Sequence, residues 1–253
     1  MRYEATWLIE VSPGETRAAL MDGRGRLLDV QLERLGDSEI VGSIHLGRVT
    51  RVEKGIGAAF VEFGDAQPGF LGKAKNVTEG QSLIVQVIRA AGDGKGAVLT
   101  VNPLLPGRYL SLEAMRPGIH WPRGKWEGDR EDLAALLEEI APEGSGLVPA
   151  PLAAEAEPDI LKAEAGRLAA RWNEIREKAA AAKPPAMLRP APALIDRIMH
   201  EARGPVIMDD PRNFLAIKTA ADRDMPDLAA TLDLYKGETP LFEESGAEEQ
   251  LEE

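Results

Sequence analysis

The 253-residue chain is 44% hydrophobic, carries a net charge of −12 and contains no cysteine. That composition supports a buried core, excludes disulfides and thiolate metal sites, and argues against a surface coated in cations for nucleic acid. The start, MRYEATWLIEV, lacks the basic residues and apolar run of a secretory signal, and no apolar segment reaches bilayer length; a cytoplasmic chain without a membrane span is expected.

Three alternating runs come first, ATWLIEV, TRAALMD and RLLDVQLE, separated by the turn signals SPGE and DGRGR. They predict a small antiparallel sheet. Five further short runs follow: SIHLGRVTRVE, AAFVEFG, GFLGK, SLIVQVIRA and AVLTVN. Strands this short and evenly spaced, with internal glycines at Gly47, Gly64 and Gly69 to bend them, predict a five-stranded barrel. Beyond Pro106 the period changes. DREDLAALLEEI places Leu133, Leu136, Leu137 and Ile140 on one helical face, with Asp129 as cap. A longer helix covers residues 159–182, with Leu161, Leu168, Trp172 and Ile175 along its apolar face and Pro184-Pro185 to stop it. The last third alternates: helix ALIDRIMHEA, strand PVIMD, a helix over residues 212–221 and the strand LDLYK. The acidic tail after Phe242 reads as the first turns of a helix that continues beyond Glu253.

Charge is uneven. Residues 41–110 hold Arg48, Arg51, Lys54, Lys73, Lys75, Arg89, Lys95 and Arg108 against Glu53, Glu62, Asp65, Glu79 and Asp93, a balance of about +3 in an otherwise acidic chain. A local basic region of this kind is compatible with phosphate backbones. The same segment concentrates phenylalanine. In AAFVEFG, strand alternation sends Phe60 and Glu62 one way and Val61 and Phe63 the other. If Val61 and Phe63 fill the barrel, Phe60 is outside, and Phe70 after the turn QPG belongs to the same face. An outward aromatic on a small barrel is a stacking platform for single-stranded bases; it can equally be a rim residue covered by a neighbouring domain. Residue spacing leaves both readings open.

The stretches GSIHLGRVTRVEKGIGAAFVEFG, PGFL, EGQSLIVQV and GKGAVLT resemble the S1 domain of the ribonuclease E/G family. LLPGRYLSL, RWNEIREKAAAAKPPAMLRP and DLYKGETPLFEESGAEEQLEE continue the resemblance in the family's order, the last matching its LY-x-G-x-x-PLF signature. The resemblance implies an α+β multidomain chain. An S1-type OB barrel (residues 37–101) and an α/β 5′-sensor-like region (residues 102–186) would be inserted in a split RNase H-like α/β domain (residues 1–36 and 187–242), with residues 243–253 leading to a catalytic domain outside the chain. It implies single-stranded RNA as partner, held by Phe60, Phe70 and Lys95, with sensor-region candidates Gly107, Ser111, Arg123 and Lys125; the basic Arg48 would be a further phosphate contact, and His45, on a strand beside the stacking face, a second-rank RNA contact. For the intact family enzyme it implies Mg²⁺-dependent endoribonuclease activity in RNA processing or decay, ribosomal RNA included, and a homo-oligomer assembled through the missing C-terminal part. DNA is not an expected partner.

Two departures qualify that expectation. The family grips a 5′-monophosphate with an Arg-Thr pair at the end of a strand resembling GLIVRT; here the strand reads GLVPAPLA, with Ala150 and Pro151 at the pair. Neither side chain donates a hydrogen bond, so loss of monophosphate sensing is expected. The family's catalytic Asp-Val-Asn-Thr-Gly motif does not occur, so no catalytic residue, metal ligand or cofactor is expected in this chain. Asp209 and Asp210 in VIMDDP could hold a metal at a strand end, but Asp210 as a helix cap before Pro211 is the simpler reading. His45, His120 and His200 form no ligand or triad spacing. The rival account is a complete, non-catalytic S1-domain protein that binds RNA or docks a partner.

Overall fold

Alternation in the opening segment builds an antiparallel meander of β1 (Thr6–Ser12), β2 (Glu15–Met21) and β3 (Leu27–Arg34). The computed structural model describes residues 5–36, 39–74, 76–92, 94–124, 126 and 129–252. It divides into one unit of residues 1–38 with 193–253 and another of residues 39–192.

In the second unit, β4 (Ile44–Glu53), β5 (Ala58–Glu62), β6 (Gly69–Leu71), β7 (Ser82–Arg89) and β8 (Val98–Thr100) form the barrel. They bond in the order β4-β5-β6-β8-β7, and β7 returns to β4, so five strands close on themselves. Val49, Val61, Phe63, Leu71, Val85, Val87 and Leu99 fill the interior, none more than 2% exposed. Each such side chain contributes roughly 1.5–3 kcal/mol of burial before entropy is counted. Gly47 and Gly69 are glycine for want of room: a Cβ at either would lie 2.5 Å from Val61 or Leu99.

The chain continues through β9 (Leu104–Pro106), β10 (Leu110–Glu113), β11 (Gly118–Ile119), α1 (Arg130–Ile140), β12 (Gly146–Pro149), α2 (Pro158–Ala181) and β13 (Ala186–Arg189). A four-stranded sheet, β11-β12-β10-β9, packs against both helices through Leu105, Leu110, Leu112, Leu137, Leu147, Leu161, Leu168 and Trp172. Asp129 caps α1 by accepting from the Glu131 and Asp132 amides. Buried Gln86 ties barrel to sheet: its Oε1 accepts from Leu104 N at 2.8 Å and its Nε2 donates to Leu104 O at 3.0 Å. β13 pairs with β4, Met187 opposite His45, so the stretch from Met187 to Pro192 runs with this unit and the boundary falls at Ala193.

The chain then completes the first unit with α3 (Leu194–Glu201), β14 (Val206–Met208), α4 (Pro211–Asp224), α5 (Pro226–Ala229), β15 (Leu232–Leu234), α6 (Leu241–Glu244) and α7 (Ala247–Glu252). β14 lies parallel to β1 and β15 parallel to β14, giving the order β15-β14-β1-β2-β3. Trp7, Ile9 and Ala18 face Leu194, Ile198, Ala221 and Leu228 on one side. Leu8, Ala19 and Met21 face Leu241 and Phe242 on the other. The LYKGETPLF stretch has a physical reading here. Tyr235 donates its hydroxyl to Thr239 O at 2.6 Å and also meets the Glu244 carboxylate, whose hydrogen bond pushes the phenol up to about 12. The same hydroxyl occupies the space that a Cβ at Gly237 would need. The whole is a mixed α+β chain with a closed five-strand barrel, and among the described residues no helix is long and apolar enough to cross a membrane.

Candidate nucleic-acid interface

The barrel's outer face is set by strand register. On β5, Val61 points inward and is fully buried, whereas Phe60 is half-buried and Glu62 exposed. Phe60 pairs with Phe70 on β6, and Phe70 with Val98 on β8. The two phenyl rings stand side by side, centroids 6.1 Å apart and planes crossed at 73°. Such an edge-to-face pair braces both rings without sinking them into the core. Neither belongs to the cluster that fills the barrel.

Lys95 is exposed in the loop between β7 and β8, where Gly92 and Lys95 exchange backbone hydrogen bonds of 2.9 and 3.1 Å. Its neighbour Gly96 presses directly on the Pro68 carbonyl, leaving no space for a side chain, and the Phe70 amide donates to Ala97 O at 2.7 Å. The lysine loop is thus fastened to the start of the strand that carries Phe70. Arg48 is exposed on β4, in register with the exposed Glu62 of β5.

His45 lies inside the barrel rather than on its outer face. Its ring is 6% exposed, lies edge-on to Phe63 at 5.2 Å and shares a 2.9 Å hydrogen bond with Ser43 Oγ. Burial lowers its pKa below the ordinary 6.5. A ring enclosed in the barrel offers RNA no open stacking face.

In the sensor-like region, Gly107 begins a backbone nest already filled by the protein's own carboxylate. Glu164, 5% exposed on α2, accepts from Arg108 N at 2.7 Å, Tyr109 N at 2.9 Å and Leu110 N at 2.7 Å. Burial raises its pKa, opposed by those three donors. Gly107 has no space for a Cβ, which would sit 2.7 Å from Glu164 Oε1. Ser111 is half-buried on β10 between Pro106 and Val148. Arg123 is exposed beyond β11, and Lys125 lies outside the described residues. At the end of β12 the Ala150 amide is spent on Tyr109 O at 2.7 Å, and Pro151 has no amide hydrogen and opens a 3-10 turn. Neither backbone nor side chain of this pair presents a donor to a phosphate.

The Asp209-Asp210 pair serves the fold. Asp209 accepts from Val11 N at 2.9 Å, with its pKa raised by burial, and Asp210 caps α4 through Asn213 N at 2.7 Å. Among the described residues no three histidine, cysteine or carboxylate side chains are grouped to hold a metal ion. An open cleft of about 350 Å³, lined by Ser12, Glu15, Thr16 and Arg34, lies in the first unit and contains none of the candidate residues. One neighbour of the phenylalanines escaped the sequence reading. The Arg51 guanidinium lies over the Phe60 ring, 4.5 Å from its centre. The signal that would have found it is the β4–β5 register, which the sequence does not display.

The family model described as Ribonuclease E/G family matches residues 105–253. The chain is 31% identical to ribonuclease G of Haemophilus influenzae, covering 97% of this chain and 55% of the relative. It is 30% identical to ribonuclease E of Escherichia coli, covering 94% of this chain and 25% of the relative, and 28% identical to ribonuclease G of Escherichia coli, covering 98% and 56%. The chain therefore spans about half the length of these ribonuclease G relatives and about a quarter of that ribonuclease E. It belongs to the ribonuclease E/G family.

Proposed function

We propose that this chain is the RNA-holding portion of a ribonuclease E/G-type endoribonuclease of RNA processing or decay, working in the reducing cytoplasm that its lack of cysteine suits. The barrel is an S1-type OB fold that grips single-stranded RNA. Bases stack on Phe60 and Phe70, while Lys95 and Arg48 neutralise phosphates. The observation that carries this reading is the phenyl pair itself: two partly buried rings outside the interior cluster, side by side on a closed barrel whose interior is full without them. The β3-β2-β1-β14-β15 sheet, with its last two strands parallel to β1, supports an RNase H-like scaffold for the other unit.

The family's implied Mg²⁺ does not fit the described residues of this chain. Asp209 and Asp210 are committed to backbone amides, and no third carboxylate converges on them. Phosphodiester hydrolysis by a metal-bound water needs convergent carboxylates, so cleavage is assigned to a domain outside these 253 residues. Recognition of a 5′-monophosphate is proposed to be lost, since Ala150 and Pro151 present no donor.

Titration of the chain with a labelled single-stranded RNA bearing either a 5′-phosphate or a 5′-hydroxyl tests both statements. Binding is expected, with equal affinity for the two ends. The salt dependence should be shallow, a log–log slope of about −1.4 for two phosphate contacts. Failure to bind either RNA overturns the barrel reading. A strong preference for the phosphorylated end restores the sensor.

A further inference from the structure

The face of Phe60 that a base would need is not bare. Strict alternation along β4 would turn Arg51 into the barrel, but the strand carries an extra residue: Val49 pairs with Val61, and Arg51 rather than Thr50 pairs with Phe60. Thr50 and Arg51 are consequently both exposed. Thr50 donates its hydroxyl to the Phe60 carbonyl at 3.2 Å, clasping the bulge to β5. Arg51 then places its Cζ 4.5 Å from the centre of the Phe60 ring, and its Nε pairs with Glu53 at 3.0 Å. Phe70 stands on the strand at the other side of β5. A base has room on Phe60 only if the guanidinium yields.

We propose that Arg51 and Phe60 form a slot. A nucleobase of single-stranded RNA enters between guanidinium and ring, the flat cation stacking on one face of the base and the phenyl on the other. This rests on the barrel reading above and specifies how that site takes a base. Guanidinium is planar, delocalised and weakly hydrated, so it stacks on a base as it does on a ring. The Arg51 side chain is 61% exposed and, besides its contact with the Phe60 ring, is held by a surface ion pair with Glu53, an interaction of little strength in water. It can lift without breaking the barrel. Lysine at this position keeps the charge and loses the plane.

The test compares the full chain with Arg51→Lys, Arg51→Ala and Phe60→Ala. Each is titrated with a fluorescent oligouridylate of about ten nucleotides at low and high salt, with thermal melting alongside. Arg51→Lys and Arg51→Ala are both expected to weaken binding about three- to ten-fold. The loss should persist at high salt, where a phosphate contact would already be screened. If Arg51→Lys binds like wild type while Phe60→Ala is weakened, the cation serves phosphate alone; the slot is overturned and the barrel reading stands. Tighter binding by Arg51→Ala makes the guanidinium a competitor of the base and overturns the slot equally. If Phe60→Ala binds like wild type, the barrel reading falls and takes the slot with it.

Discussion

Replacing Phe60 and Phe70 together with alanine should lower affinity for single-stranded RNA by about a hundred-fold or more while the melting temperature stays near wild type. Each base stacked on an aromatic is worth about 1–3 kcal/mol by alanine substitution. The two rings touch at a centroid distance of 6.1 Å, so the double variant should depart from the sum of the singles. Little stability should be lost, because neither ring belongs to the barrel's interior cluster. Phe63→Ala is the opposite control. That ring is 2% exposed, and its removal should destabilise the fold by about 3–5 kcal/mol. A double variant that binds RNA like wild type would return both phenylalanines to a structural role.

Glu164→Ala is expected to be among the most destabilising single changes in the chain, about 3 kcal/mol or more by urea denaturation. The carboxylate accepts from the amides of Arg108, Tyr109 and Leu110. Without it, buried donors lose their acceptor at about 1–3 kcal/mol each. Glu164→Gln keeps one acceptor oxygen and should fall in between. The pH dependence has a definite sign. Burial raises the folded pKa above the ordinary 4.5, so the folded state binds the extra proton in that window. This group's contribution is full below pH 4.5 and declines as pH rises through the raised value. The glutamine variant should lack that slope. A loss below about 1 kcal/mol in Glu164→Ala would mean water or a shifted loop satisfies the amides instead.

Local pattern carried much of the architecture into view. The barrel strands, the outward Phe60 with inward Val61 and Phe63, the Asp129 and Asp210 caps, and buried Trp172 all follow from periodicity and capping chemistry. What stayed hidden depends on register or on partners distant in sequence. Strands of two to four residues such as β9, β10, β11 and β13 are too short to show a period, and their pairings are set by tertiary contacts. Arg51 reaches Phe60 only because of one extra residue in β4. Glu164 sits on a helix whose apolar face gives no hint of a loop 54 to 56 residues away that needs an acceptor. His45 shows the reverse: its place on a strand beside the stacking face suggested an RNA contact, but the barrel encloses it beside Ser43 and Phe63.

Ring-resolved NMR of the phenylalanines during RNA titration detects base stacking on the barrel at the rings themselves. The chain has five: Phe60 and Phe70 on the barrel's outer face, Phe63 inside it, Phe214 on α4 and Phe242 on α6, packed with Leu8, Ala19 and Met21. Ring-current shifts on adding single-stranded RNA are expected at Phe60 and Phe70, with Phe63 and Phe242, 2% and 0% exposed, left unmoved. RNA that binds while leaving the Phe60 and Phe70 signals in place, or that moves Phe214 instead, would contradict the account.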